Sequence, residues 1–159
     1  MHKYIIDRSS IQVNYNITLP SVFVTPTINQ IGYIINGSII ADLTTISNAI
    51  TYTVSQITVD PGVYILFGQI SWQITAVSTT PTLSYNAMSI STSSSVSTNI
   101  IENRTPHTVN TNQTFSEQIT RIQTVTSTTT FYLLHAVVLS NCTVKTRATT
   151  SLFTATRIA

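Results

Sequence analysis

The sequence predicts an all-β protein: a single antiparallel β-sandwich or jelly roll of about ten short strands. Three observations predict it. The apolar residues are rich in Ile, Val and Tyr, and the polar ones are dominated by 30 Thr and 19 Ser, against 12 charged side chains in 159 residues. β-Branched and aromatic side chains suit a pleated, half-buried surface and lose χ1 freedom in a helix. Hydrophobicity alternates with period two from end to end, without a helical period. Turn signals recur every 8–12 residues or so, as they do in sandwiches and jelly rolls.

Taken in order, Ile11, Val13, Tyr15 and Ile17 alternate with polar neighbours until Leu19-Pro20 ends the run. Asn36-Gly37 lies between Gly32-Tyr33-Ile34-Ile35 and Ser38-Ile39-Ile40, a pattern that predicts a hairpin because both central residues accept positive φ. Ile50, Tyr52 and Val54 mark a strand that Ile57 and Val59 continue to the turn Asp60-Pro61-Gly62. Val63 to Ile74 is the longest apolar strand, with Tyr64, Leu66, Ile70, Trp72 and Ile74 on one face. Its other face is apolar only at Val63, Ile65 and Phe67, so one end is expected to be buried on both sides. Gly68, in mid-strand, marks a bulge or the close approach of another backbone.

A turn from Ser78 to Pro81 leads into a strand with Leu83, Tyr85 and Ala87. Ser89 to Thr98, nearly all hydroxyl residues, reads as an exposed strand and loop, and Glu102 to His107 as the most loop-like segment. Phe115 to Val125 forms a strand or strand pair, and Thr126 to Thr130 a connection. Phe131 to Leu139 is apolar on both faces, as a covered central strand should be. Cys142 to Thr146 and Ser151 to Ile158 complete the pattern. No internal boundary stands out, so residues 1–159 are expected to form one domain, with 1–29 a lead-in strand and 30–159 the core.

Composition narrows the function classes. The formal net charge is +2 with no block of like charges, so no nucleic-acid footprint is present. No stretch approaches a spanning helix, and Met1 to Arg8 lacks the apolar core of a secretory signal. Five N-x-Ser/Thr sequons, at Asn16, Asn36, Asn103, Asn112 and Asn141, arise easily in a chain this rich in Asn and Thr. Cys142 alternates with Val144 and reads as a small strand residue.

The order of these signals resembles the tumour-necrosis-factor-like jelly roll shared with the globular heads of complement-type proteins. The matching features are Gly32-Tyr33, Pro61-Gly62-Val63-Tyr64-Ile65 followed by Phe67, Phe131-Tyr132-Leu133-Leu134, and the last strand. Within that fold the hydroxyl-rich composition is similar to fibre-head and virion-surface proteins of phages, large DNA viruses and virophages. The segments carrying that likeness are Ile57 to Tyr64 and Ser151 to Ala159. The resemblance implies a homotrimer at the virion surface, associated with other virion proteins. Apolar faces in excess of one core, together with low charge, point to association independently. Tyr64, Phe67, Phe131 and Tyr132 are the candidate interface residues, with filling of the subunit's own core as the alternative.

Catalytic chemistry has little to work with. Asp7, Asp42, Asp60, Glu102 and Glu117 lie on different expected turns and strands, with no spacing that pairs two of them for glycoside cleavage. His2, His107 and His135 lack ligand spacing, so neither metal nor cofactor is expected. His135, in an apolar strand, reads as a hydrogen-bonded core or interface histidine. No Gly-x-Ser-x-Gly elbow is present. In the segment Glu102 to His107, Asn103, Arg104 and His107 combine an amide, a guanidinium and an imidazole, the side chains suited to bidentate contact with a sugar. The expected function is a trimeric head binding a host receptor or surface glycan. The alternatives are a capsid decoration protein and, more remotely, a surface-polysaccharide hydrolase.

Overall fold

The computed structural model describes residues 27–39, 51–77, 79–95, 102–104 and 113–159. The expected strand at Ile11 to Ile17 lies outside them. Among the described residues, ten strands form two five-stranded antiparallel sheets, the all-β sandwich the sequence predicts. In the first sheet β1 (Ile34–Asn36), β10 (Leu152–Arg157), β4 (Gly62–Ala76) and β7 (Gln113–Val125) lie side by side. There β9 (Cys142–Thr146) pairs with the far half of β4, beyond the stretch that β10 occupies. The second sheet runs β2 (Ser38–Ile39), β3 (Thr51–Val59), β8 (Thr129–Ser140), β5 (Thr82–Ser91) and β6 (Glu102–Arg104). The chain crosses between sheets repeatedly, at β1–β2, β3–β4, β4–β5, β6–β7, β7–β8 and β8–β9.

The core lies between the sheets and follows the alternation. Tyr64, Leu66, Ile70, Trp72 and Ile74 of β4 are buried against Phe131, Leu133 and Val137 of β8, with Phe153 and Ala155 of β10 beside them. β8 is buried on its second face too, where Leu134 is fully enclosed between Thr53 and Ser89 of the neighbouring strands. The bend at 92–95 returns over that side, and Thr53 Oγ1 donates to the Ser94 carbonyl at 2.9 Å. Part of the apolar excess of β8 is therefore used within one chain.

Two phase changes in the alternation are bulges. In β3 the register shifts between Thr53 and Ser55, so that Ile57 and Val59 point inward after Val54. In β5 it shifts between Leu83 and Tyr85, so that Asn86, Met88 and Ile90 follow Leu83 into the core. An extra residue in one strand moves every later side chain to the opposite face unless the sequence changes phase with it.

Four expectations need correction. Asn36-Gly37 is a crossover, not a hairpin: β1 pairs with β10 and β2 with β3. Neither residue has positive φ. A Cβ on Gly37 would collide with Ser55 Oγ, so closeness, not a turn, requires this glycine. Gly68 is not at a bulge, since β4 pairs with β7 in unbroken register through it. What approaches it is a side chain: a Cβ there would stand 2.6 Å from Leu133 Cδ1. Ser89, Ile90 and Ser91, read as exposed, are buried in β5. Glu102–Arg104, read as loop, is an edge strand whose backbone pairs with Ala87 to Ser89.

Gly68→Ala tests the sheet-to-sheet contact. The added methyl should push on Leu133 and cost about 1–3 kcal/mol. Urea unfolding should show a lower midpoint with unchanged slope, and an unshifted midpoint would mean that Leu133 yields freely.

Candidate functional site

The four candidate interface aromatics do not come together. Tyr64 and Phe131 fill the core of a single chain. Phe67 lies half-buried on the outer face of the first sheet, and Tyr132 half-buried on the outer face of the second. Asn103 and Arg104 lie on β6, opposite Met88 and Ala87, while His107 lies outside the described residues.

What the outer face of the first sheet does present is a row of apolar side chains among threonines. Ile34 of β1, Ile65 of β4 and Ile122 of β7 fall in one cross-strand row, linked through Thr156 of β10. Ile34 is 53% and Ile122 67% exposed. Val63 and Phe67 flank this row on β4, and Leu152 adds a 43% exposed side chain farther along the sheet. Large contiguous apolar patches are uncommon on monomers and mark sites of association. Sequence alternation identified the residues on β4 but not the row across strands.

Inside the sandwich a polar chain joins the two sheets. His135 of β8 is fully buried, with Nε2 2.8 Å from Asn86 Oδ1 and Nδ1 3.2 Å from Thr146 Oγ1. Asn86 Nδ2 donates to Glu117 Oε1 at 2.8 Å, so its Oδ1 is the acceptor. His135 Nε2 therefore carries the proton, and the Thr146 hydroxyl donates to Nδ1. His135 is thus the hydrogen-bonded core histidine the sequence anticipated. Burial lowers its pKa to about 4, because a charged imidazolium loses its hydration there. Beside it Trp72 stacks on Phe115 with ring centroids 4.5 Å apart, and lies 6.0 Å from the imidazole. Glu117 and His135 are held in fixed hydrogen bonds within packed walls, an arrangement for joining sheets.

At the other end of the sandwich a cavity of about 270 Å³ opens where β7 turns into β8. Arg121 and Gln123 enter it from the inner face of β7, Thr126 and Thr129 from the turn and the start of β8, and Thr92 from the end of β5. Val125 and Phe131 form its apolar lining. Arg121 stands in register with Leu66, a fully buried core residue, so its guanidinium projects from an inward-facing position. Inward charge on an edge strand also discourages strand addition by another chain. The signal for this site was in the sequence: Phe115, Glu117, Ile119, Arg121, Gln123 and Val125 share one phase, and two of them are charged.

Among the described residues no three His, Cys, Asp or Glu side chains gather as a metal site. Cys142 is buried in β9, its Sγ 3.3 Å from the Thr82 carbonyl, and burial raises the thiol pKa. No protein-family model matches the sequence, and no curated protein matches it.

Two measurements test the polar chain. The folded-state pKa of His135 lies below its unfolded value of 6.5, so below pH 6.5 the unfolded chain binds the proton that the folded one refuses. Stability should be complete above that pH and fall by about 3 kcal/mol as the pH drops towards 4. Urea midpoints across this range should show the loss in the native protein and not in His135→Gln. Asn86→Ala leaves the buried Nε2–H without its acceptor and should cost about 1–3 kcal/mol at pH 7, with the native fold retained by circular dichroism.

Proposed function

We propose that this chain is the trimeric head of a virion fibre or surface protein, and that it attaches the particle to a receptor or glycan on the host. The observation that carries the reading is the apolar row Ile34, Ile65 and Ile122 on the outer face of the first sheet, with Val63 and Phe67 beside it. A sheet face of this kind is covered when copies of the chain associate. Association is favoured further by a formal net charge of only +2.

The threefold arrangement follows from the resemblance to tumour-necrosis-factor-like heads. The connectivity is in keeping with it: at six of the nine steps from one described strand to the next the chain changes sheet, and β10 lies between β1 and β4, as Greek-key connections in a jelly roll would have it. The viral setting rests on the hydroxyl-rich composition and on the segments Ile57 to Tyr64 and Ser151 to Ala159. Recognition, in place of catalysis, is the reading that fits a fixed polar chain at one end and, at the other, a cavity whose described lining residues include one charged side chain.

Sedimentation equilibrium at micromolar concentration should give about three times the 17.4 kDa chain mass. Ile65→Lys together with Ile122→Lys should yield a folded monomer. A monomeric native protein, or a double variant that stays trimeric, defeats the proposed interface. A trimer that labels particles but binds no array glycan or host cell would transfer the assignment to a decoration protein.

A further inference from the structure

Among the described residues, the outer row of the first sheet ends on an exposed isoleucine at either edge. The strand order β1, β10, β4, β7 sets Ile34 at one edge and Ile122 at the other. Upstream of Ile34, a turn at 27–32 adds two more, Ile28 at 62% and Ile31 at 70% exposed. Turns are built mostly from Gly, Pro, Asn, Asp and Ser, so two large apolar side chains facing water within six residues are unexpected there.

The turn is firmly set. Asn29 and Gly32 both take positive φ, 72° and 85°, and a non-glycine residue stays in that region where its surroundings hold it. Here hydrogen bonds hold it. The Gln30 N–H donates to the Thr27 carbonyl at 3.0 Å, and Gln30 Oε1 accepts from the Thr27 N–H at 2.8 Å. The Gly32 N–H donates to the Arg157 carbonyl at 2.7 Å. Arg157 Nη1 donates to Asn29 Oδ1 and to the Tyr64 hydroxyl, each at 3.3 Å. Ile28 and Ile31 are thus presented on a pinned turn at the end of β10, next to Thr156 of the row.

Area and symmetry point to what meets this turn. A stable interface engages about 800 Å² and about 20–30 residues on each partner. Ile34, Ile65 and Ile122, with Val63 and Phe67 beside them, fall short of that on their own. In a closed ring of three, each contact runs head to tail, so a patch on one copy meets a different patch on the next. Apolar side chains at opposite edges of one sheet meet that requirement, because the β1 edge of one copy can face the β7 edge of its neighbour. Residues 27–36 carry no charged side chain, and Ile122 is flanked on its face by Thr120 and Thr124, so no like charges oppose the contact.

We propose that the turn at 27–32 packs against the β7 edge of a neighbouring copy, with Ile28 and Ile31 covering the neighbour's Ile122. The proposal rests on the trimeric reading above and names the two different surfaces that close the ring.

Two experiments on the full chain test it. Ile28→Asp together with Ile31→Asp should raise the dissociation constant of the trimer at least about tenfold in sedimentation equilibrium, with the native circular dichroism spectrum retained, since exposed positions tolerate substitution. A double variant that associates as tightly as the native chain overturns the proposal, whether its stability is unchanged or, because residues 1–26 cover the turn, reduced. In the second experiment Ile31→Cys is combined with Ile122→Cys and treated with a short bismaleimide. Denaturing electrophoresis should show covalent species up to the trimer. Either single variant should stay uncrosslinked, because like residues stand apart in a head-to-tail ring and the native Cys142 is buried. A trimeric protein that gives no covalent trimer, or single variants that crosslink equally well, overturns the proposal. A native chain that is monomeric sinks both this contact and the trimeric reading. A trimer that Ile65→Lys with Ile122→Lys dissociates, and that the turn substitutions leave intact, sinks this contact alone.

Discussion

The side chain of Leu133 rests on the bare backbone of Gly68, and the arrangement of the sandwich follows from that contact. It brings the middle of β8 against the middle of β4. Four residues to either side of Gly68, on the same inner face, stand the rings of Tyr64 and Trp72. Small at the centre and bulky at both ends, the face of β4 admits the Leu133 side chain at its middle. The two polar features occupy the two ends. The Glu117, Asn86, His135 and Thr146 chain lies beside Trp72, and the Arg121 cavity lies beyond Leu66 on the Tyr64 side. Neither could exist in the middle, where there is no room for a polar side chain and its partners.

Hydroxyl groups serve this architecture in a way that longer polar side chains could not. Ser55 is buried and donates to the Ser38 carbonyl, tying β3 to β2. Ser71 stands where the edge of β4 passes from β10 to β9, and its main-chain N–H is met by Ser151 Oγ while its carbonyl accepts from the Arg147 N–H. A short hydroxyl satisfies a backbone group at the cost of little side-chain entropy. On the surface Thr58 and Thr130 pair across strands at 2.9 Å. The result is a surface of low charge, against which the guanidinium of Arg121 is a local exception.

The strands were legible because period-two alternation states which side chains share a face, and β4 and β8 follow it closely. The misreadings have a common cause: a local pattern does not say which partner an element meets. Asn36-Gly37 carries the letters of a tight turn, yet its glycine answers to Ser55 on another strand. Tyr64 and Phe131 are apolar and aromatic, as interface residues are, and only the packing shows that the chain's own core takes them up. The cavity was hidden for the same reason, since Thr92, Arg121 and Thr129 meet only once three strands are assembled. What the sequence did hold, and alternation alone could have disclosed, is that Glu117 and Arg121 share a phase with Ile119.

Among the described residues β1 has a single partner in its sheet, and that partner is β10, which pairs Ile34 with Thr156 and then carries the sheet on to β4. Within this sheet β1 thus has no described strand to join until residues more than a hundred positions later have emerged from the ribosome. During synthesis β3, β4 and β8 are laid down before the strand that pairs with Ile34 and Ile35 emerges. Such long-range closure makes folding slow, and incomplete chains carry unpaired edges and open apolar faces that invite aggregation. With 12 charged side chains in 159 residues, a nascent chain has little electrostatic protection against such association until the last strand arrives.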